Sequence, residues 1–384
     1  LAVEYYYHRK RLYIFCISKT VFEGFSVAIN EKELFNTIKH LREKTDQKDF
    51  LSSTSNDAYL NLLHQLYALL IQPIDSILKS YNDLLIIPHG ILQYVSYESL
   101  CPKTEVKDYR QLDYLLKTKN IAYSWSIPLW LNRPGIKKRV SYKFAGFAPE
   151  FNLKEAKDEF QNYRTELSNL NYIYDEIESA NQFHKGELFI KEEATAHKFL
   201  EAAPKSKIIH LATHGVIDDL NPMESGFMFS KSKDKEDYDF ISATTIYGMD
   251  LHADLAVISA CNTGYGKLQE GEGVMSLGRA FLHSGCKSIL MSLWLANDKS
   301  TSEIITNLYK YASENVEKDK ALRSAKLEYL ESADPITAHP YFWANMIAVG
   351  DMTPLDKKAS WMWWLGLALM IVLGFLVFRR WSIR

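Results

Sequence analysis

Two short apolar runs, each closed by a turn signal, constrain this chain more than any other feature. The first, Ile208-Ile209-His210-Leu211-Ala212-Thr213, leads into His214-Gly215; the second, Leu255-Ala256-Val257-Ile258-Ser259-Ala260, leads into Cys261-Asn262-Thr263-Gly264. A strand with one wet face alternates apolar and polar side chains. These runs do not, which is the pattern of strands covered on both faces in a parallel sheet. Further runs at Ser141 to Phe147 and Ser288 to Leu293 share the character, and helical stretches intervene at Leu170 to Phe183, after Glu193-Ala194-Thr195, and at Val274 to Ser284. Strands alternating with helices predict an α/β fold with a doubly wound, mainly parallel sheet and flanking helices.

In such a sheet, chemistry collects at the carboxyl ends of the strands. His214 and Cys261 stand at two such ends, 47 residues apart in sequence. The thiolate is the attacking form of a cysteine, and an ordinary thiol is only a few per cent ionised at neutral pH. An imidazole titrates near neutrality, so it can take the thiol proton and return one to a leaving amine. Gly215 lets backbone approach closely, and its N–H and that of Cys261 suit an oxyanion hole. A random Cys/His pair is more often a buried thiol and an unrelated imidazole; the matched strand-end contexts favour the paired role.

Other motifs extend the pattern. They include His-Leu-Ala-Thr-His-Gly ending at Gly215, Ser-Ala-Cys-Asn-Thr-Gly over 259–264, Gly271-Glu272-Gly273, and Ser292-Leu293-Trp294 followed by Asp298. Ala321-Leu322-Arg323 with Ala325-Lys326, and Trp343-Ala344 ahead of Gly350, follow them. Leu85-Ile86-Ile87-Pro88-His89-Gly90 and Tyr94-Val95-Ser96-Tyr97-Glu98-Ser99-Leu100 precede them. On these residues the chain resembles, over roughly 1–350, the CHAT family: bacterial relatives of caspases, separases and gingipains among the caspase-like cysteine peptidases. The spacing of the pair is similar to the ~50 residues of caspases, although the caspase Gln before Ala-Cys is absent.

The resemblance implies a cysteine endopeptidase with Cys261 as nucleophile, His214 as general acid and base, and the Gly215 and Cys261 amides on the oxyanion. It implies no metal or organic cofactor, a particular protein as substrate, and an upstream sensor module such as TPR repeats. It also implies that the first half, 1–139, is a degenerate caspase-like unit ahead of a catalytic unit over 140–355. His89-Gly90 then ends a strand that has no matching cysteine. In caspase-like enzymes the loop after the third strand helps to line the pocket for the residue before the scissile bond. Trp294 and Asp298 fall there, and Asp298 either receives a basic side chain or caps the following helix. Glu272 is placed to touch substrate or to be a solvated loop carboxylate. A pseudo-protease scaffold, or acyl transfer to an acceptor other than water, would use the same residues.

The tail is a separate feature. Trp361 to Phe378 is 18 residues without a charge, about 27 Å as a helix, against a hydrocarbon core of roughly 30 Å. Trp361, Trp363 and Trp364 flank one end and Arg379, Arg380, Trp381 and Arg384 the other, as in a membrane span. A single carboxyl-terminal transmembrane helix over 356–384 is therefore expected, with the lipid bilayer as partner. Lys357 and Lys358 stand on its domain side. The cationic excess beyond it, the absence of a visible signal peptide and cysteines without a disulfide pattern favour a cytoplasmic catalytic domain. The chain opens on Leu1, which suggests the carboxyl-terminal part of a longer product. A net charge of −2 gives no reason to propose nucleic-acid binding, and Cys16, Cys101, Cys261 and Cys286 form no metal-ligand spacing.

Overall fold

The computed structural model describes residues 1–46, 53–102, 108–131, 140–152, 154–156, 170–218, 220–232, 237–259, 276–294 and 297–355. Cys261, Glu272 and the apolar tail from Trp361 to Phe378 lie outside them. Among the described residues no helix is long and apolar enough to cross a membrane.

The chain begins with an antiparallel meander of β1 (Ala2–His8), β2 (Arg11–Ile17) and β3 (Phe22–Ala28). The sequence predicts one hairpin across this region, turning near Ser18-Lys19-Thr20. That turn is present, closed by the Ser18 N–H on Val21 O at 2.8 Å. A tighter turn precedes it at Arg9 and Lys10, whose φ values of 47° and 63° suit a two-residue hairpin loop. Neither residue is the Asn or Gly that usually marks such a turn, so a third strand went unseen. The predicted helix from Ala58 to Leu78 is also interrupted. It runs as Ser53–Leu70, breaks into a 3₁₀ turn at Gln72–Ile74, and resumes for Asp75–Leu78. Pro73 lacks the N–H needed to continue the helix.

Next come β4 (Asp83–Ile87) and β5 (Asn120–Tyr123), then β6 (Tyr142–Ala148), β7 (Glu187–Ile190) and β8 (Ser206–Leu211). β9 (Gly215–Val216), β10 (Gly226–Phe229) and β11 (Asp239–Ser242) form a small separate sheet. β12 (Leu255–Ile258), β13 (Ser288–Ser292) and β14 (Met346–Gly350) complete the set. Asp239, expected at the end of a solvated charged insertion, instead starts β11. It is buried, and its Oδ2 accepts from Ser232 Oγ at 2.5 Å. The large sheet has the order β3-β2-β1-β4-β5-β14-β13-β12-β8-β6-β7.

Its polarity changes once beyond the meander. β1, β4, β5 and β14 run parallel to one another. β13, β12, β8, β6 and β7 also run parallel to one another. The two blocks meet antiparallel at β13 and β14. The carboxyl ends of the first block therefore lie at the opposite edge from those of the second. His89, after β4, stands at the edge away from His214. Helices cover both faces. Gly146, His210 and Val257 lie in one cross-strand row, beneath Ile177 of the Ile173–Phe183 helix and Tyr309 of the Asp298–Ser313 helix. Ile289 and Met291 project to the other face, where the Ser276–His283 helix packs so closely that a Cβ on Gly278 would sit 2.8 Å from Met291 Sδ.

The seam between β14 and the Lys318–Ser332 helix that precedes it is polar and buried. Lys326, on the Lys318–Ser332 helix, places Nζ 3.2 Å from Glu98 Oε1 and 2.6 Å from Met346 O. Tyr123 OH and Ser96 Oγ donate to Glu98 Oε2. From the same helix, Arg323 donates to Leu116 O and Lys117 O, each at 2.7 Å. The Glu98 and Arg323–Lys326 motifs thus fasten this helix to the first block.

Candidate active site

β8 and β12 are hydrogen-bonded parallel neighbours, with His210 opposite Val257 and Leu211 opposite Ile258. One more rung follows, as Ser259 N–H donates to Leu211 O at 3.1 Å. Leu211 lies three residues before His214, and Ile258 three before Cys261. Equal lengths of chain therefore leave matched rungs for the two residues that sequence reasoning paired.

The turn that carries His214 is fixed from its far side. His214 O accepts from Met228 N at 3.1 Å, and Thr213 Oγ1 donates to Met228 O at 2.6 Å. This anchors the segment to β10, which has no counterpart in the sequence reading. His214 is 2% exposed, and its ring centroid is 5.3 Å from that of Phe151 at 49°. Gly215 pairs with Phe227. Because the neighbouring His214–Met228 pair holds the hydrogen bond, alternation in the antiparallel ladder directs the Gly215 N–H away from β10.

Of the residues expected at the substrate pocket, Trp294 and Asp298 are among the described ones. Trp294 is 4% exposed, and its indole N–H donates to Tyr341 O at 3.1 Å. That contact anchors the ring in the core. The Asp298–Ser313 helix starts at Asp298 itself; its cap is Asn297, whose side chain accepts from Ser300 N. Asp298 Oδ2 instead accepts the backbone N–H groups of Asn171 and Tyr172, at 2.7 and 2.9 Å. Burial raises the Asp298 pKa against those two bonds. The carboxylate holds the entry of the Ile173–Phe183 helix, a role that accounts for it without a basic substrate group.

A buried polar network beside the strand ends was missed. His210 is fully buried, with Nε2 2.7 Å from Glu176 Oε1 and 3.4 Å from Ser259 Oγ, and Nδ1 3.3 Å from Tyr309 OH. Its signal was available, since a histidine inside an apolar run covered on both faces needs buried polar partners. Among the described residues no group of His, Cys, Asp and Glu is arranged to hold a metal ion.

The other cysteines are unsuited to nucleophilic work. Cys16, Cys101 and Cys286 are buried. Burial, helped by Glu23, raises the Cys16 thiol to about 11, and burial raises that of Cys286 further.

The family model of the CHAT domain matches residues 60–351. No curated protein matches the chain. Among solved structures, the complex of the pro- and mature domains of Porphyromonas gingivalis RgpB is similar at 10% identity and a TM-score of 0.45, covering 85% of this chain and 78% of that one. The Arg-specific cysteine proteinase gingipain R gives 10% identity and 0.44, with 85% and 77% covered. The Saccharomyces cerevisiae separase–securin complex gives 12% and 0.40, with 85% of this chain but 20% of that one covered.

Proposed function

The chain belongs to the CHAT-domain family, and we propose that it is a membrane-anchored cysteine endopeptidase acting on a particular protein through Cys261 and His214. The observation that carries this reading is the matched pair of rungs on β8 and β12, which sends equal lengths of chain to both residues from adjacent parallel strands.

The mechanism follows from the residue types. His214 accepts the Cys261 proton, and the thiolate attacks the substrate carbonyl carbon. Charge develops on the carbonyl oxygen, where the N–H groups of Gly215 and Cys261 stabilise it; one such donor is worth about 3–4 kcal/mol in comparable sites. The C–N bond breaks, and His214 gives its proton to the departing amine. Water, deprotonated by His214, then attacks the thioester and frees the carboxylate. Trp361 to Phe378 supplies the anchor, and an upstream sensor supplies the switch.

The test is selective labelling followed by cleavage. Iodoacetamide at pH 7 should modify Cys261 ahead of the three buried thiols. Cys261→Ala and His214→Ala should each abolish cleavage of a protein panel at an unchanged melting temperature. The double mutant should be little worse than either single, because members of one catalytic unit are not additive. Full activity in Cys261→Ala refutes the reading. Labelling without cleavage of any protein would point to a scaffold, and labelling with transfer of the acyl group to an added amine would point to a transferase.

A further inference from the structure

We propose that His210 is a positioning residue for this reaction: held between Glu176 and Tyr309 and touching Ser259, it locks the end of β12 to the end of β8 so that Cys261 meets His214. The inference rests on the dyad reading above.

His210 and Ser259 stand close to the reacting residues along the chain. His210 is four residues before His214 on β8, and Ser259 is two before Cys261, directly after β12. Ser259 makes a doubled rung, its N–H and its Oγ both donating to Leu211 O, at 3.1 and 3.2 Å. His210 Nε2 approaches the same Oγ at 3.4 Å. The last rung before the nucleophile is thus fixed by a side chain as well as by the backbone ladder.

The histidine is itself clamped by two helices. Glu176 is 1% exposed and Tyr309 fully buried. Glu176 Oε1 lies 2.7 Å from Nε2 and Tyr309 OH 3.3 Å from Nδ1, so both ring nitrogens have a buried polar partner. Phe144 packs edge-on against the ring, with centroids 6.2 Å apart at 88°. The two helices are in turn joined by Asp298, which begins the Tyr309 helix and accepts the N–H groups of Asn171 and Tyr172 at the entry of the Glu176 helix. Every partner of the His210 ring is therefore tied to another element. A buried network satisfied in this way has one low-energy arrangement, and orientation of the reacting pair is where catalysis is most sensitive to small displacements.

The test is the rate at which iodoacetamide modifies Cys261 at pH 7, read by peptide mass. This rate reports whether the thiol sits within reach of His214. Ser259→Ala removes the side-chain link but leaves the His210 clamp, and it is expected to fold with a wild-type melting temperature. It should slow the modification on the order of tenfold, the scale of a sub-ångström misplacement. His210→Leu should approach the rate of His214→Ala, while His210→Gln, which can still donate to Glu176, should recover most of the loss. Wild-type rates in Ser259→Ala would overturn the positioning role and leave the dyad standing. Equal rates in the wild type and in His214→Ala would remove the dyad, and the inference with it.

Discussion

Lys326→Met probes how the Lys318–Ser332 helix is held to the first block of the sheet. The ammonium is fully buried, bonded to Glu98 Oε1 at 3.2 Å and to Met346 O at 2.6 Å. Burial draws the Lys326 pKa below the usual lysine range, and Glu98 opposes that shift. Met occupies a similar volume, so apolar packing changes little. What changes is that Glu98, 3% exposed, keeps only the hydroxyls of Tyr123 and Ser96 as donors. Removing one partner of a buried pair costs about 3–5 kcal/mol, whereas removing both charges is often close to neutral. With an unfolding entropy of about 2.1 cal/mol/K per residue over 384 residues, 1 kcal/mol shifts the midpoint by about 1.2 °C. The expected fall for Lys326→Met is then roughly 4–6 °C. Glu98→Gln should also destabilise, because it leaves the ammonium without its counter-ion. The double mutant Glu98→Gln/Lys326→Met should lie well above the sum of the singles. Circular dichroism melts of the four proteins complete the cycle. A Lys326→Met midpoint within 1 °C of wild type, or strictly additive losses, would show that the pair does not hold the seam.

Two further outcomes are expected. His339 is buried between Tyr59 and Tyr109, its Nδ1 accepts from Tyr341 N at 3.1 Å, and burial lowers its pKa from 6.5 to about 3. The unfolded chain therefore takes up a proton before the folded one does as pH falls. Stability present above pH 6.5 should decline toward pH 3, by about 1 kcal/mol between pH 7 and 5.5. His339→Asn keeps an acceptor for Tyr341 N and should flatten that part of the urea-midpoint profile; an unchanged slope would refute the assignment. For the tail, the full chain should resist carbonate extraction from membranes, and truncation before Trp361 should yield a soluble protein whose Cys261 still reacts with iodoacetamide. Release of the full chain by carbonate would remove the anchor from the proposal.

The central strands were legible because burial on both faces leaves a compositional mark. Ile208 to Leu211 and Leu255 to Ile258 read as parallel neighbours, and they are. The helical stretch expected after Glu193-Ala194-Thr195 is present, with the Thr195 side chain accepting from Lys198 N. What escaped lacked a local signal. The Arg9-Lys10 turn uses ordinary residues at positive φ. β9, β10 and β11 are short, and Gly226 and Asp239 give them no apolar alternation. β14 is as apolar as the parallel strands but runs against β13, and periodicity carries no information about strand direction. At the site, the positions of His214 and Gly215 follow from their strand. The company of His210 does not, because Glu176 and Tyr309 come from helices 34 and 99 residues away in sequence.

The change in strand direction at β13 and β14 puts the two His-Gly strand ends at opposite edges of the sheet. A dyad built from strand ends needs both ends at one edge of the sheet. β8 and β12 meet that condition because both belong to the second block. β4 also ends in His-Gly, yet its carboxyl end lies at the other edge. There His89 packs against the rings of Tyr6 and Tyr7, with centroids 4.7 and 4.9 Å apart. Gly90 takes φ +54° under the Tyr7 side chain, where a Cβ would collide with the hydroxyl. The packing of the Tyr7 ring thus fits glycine at this position. The neighbouring β5 ends at Tyr123, whose hydroxyl is turned inward to Glu98 and to the Tyr97 N–H. Polar groups of the first block are thus drawn into the seam with Lys326 and Met346. That seam fixes β14, β14 fixes β13, and β13 flanks the strand that leads to Cys261. The first block bears on the proposed chemistry through the rigidity of this edge.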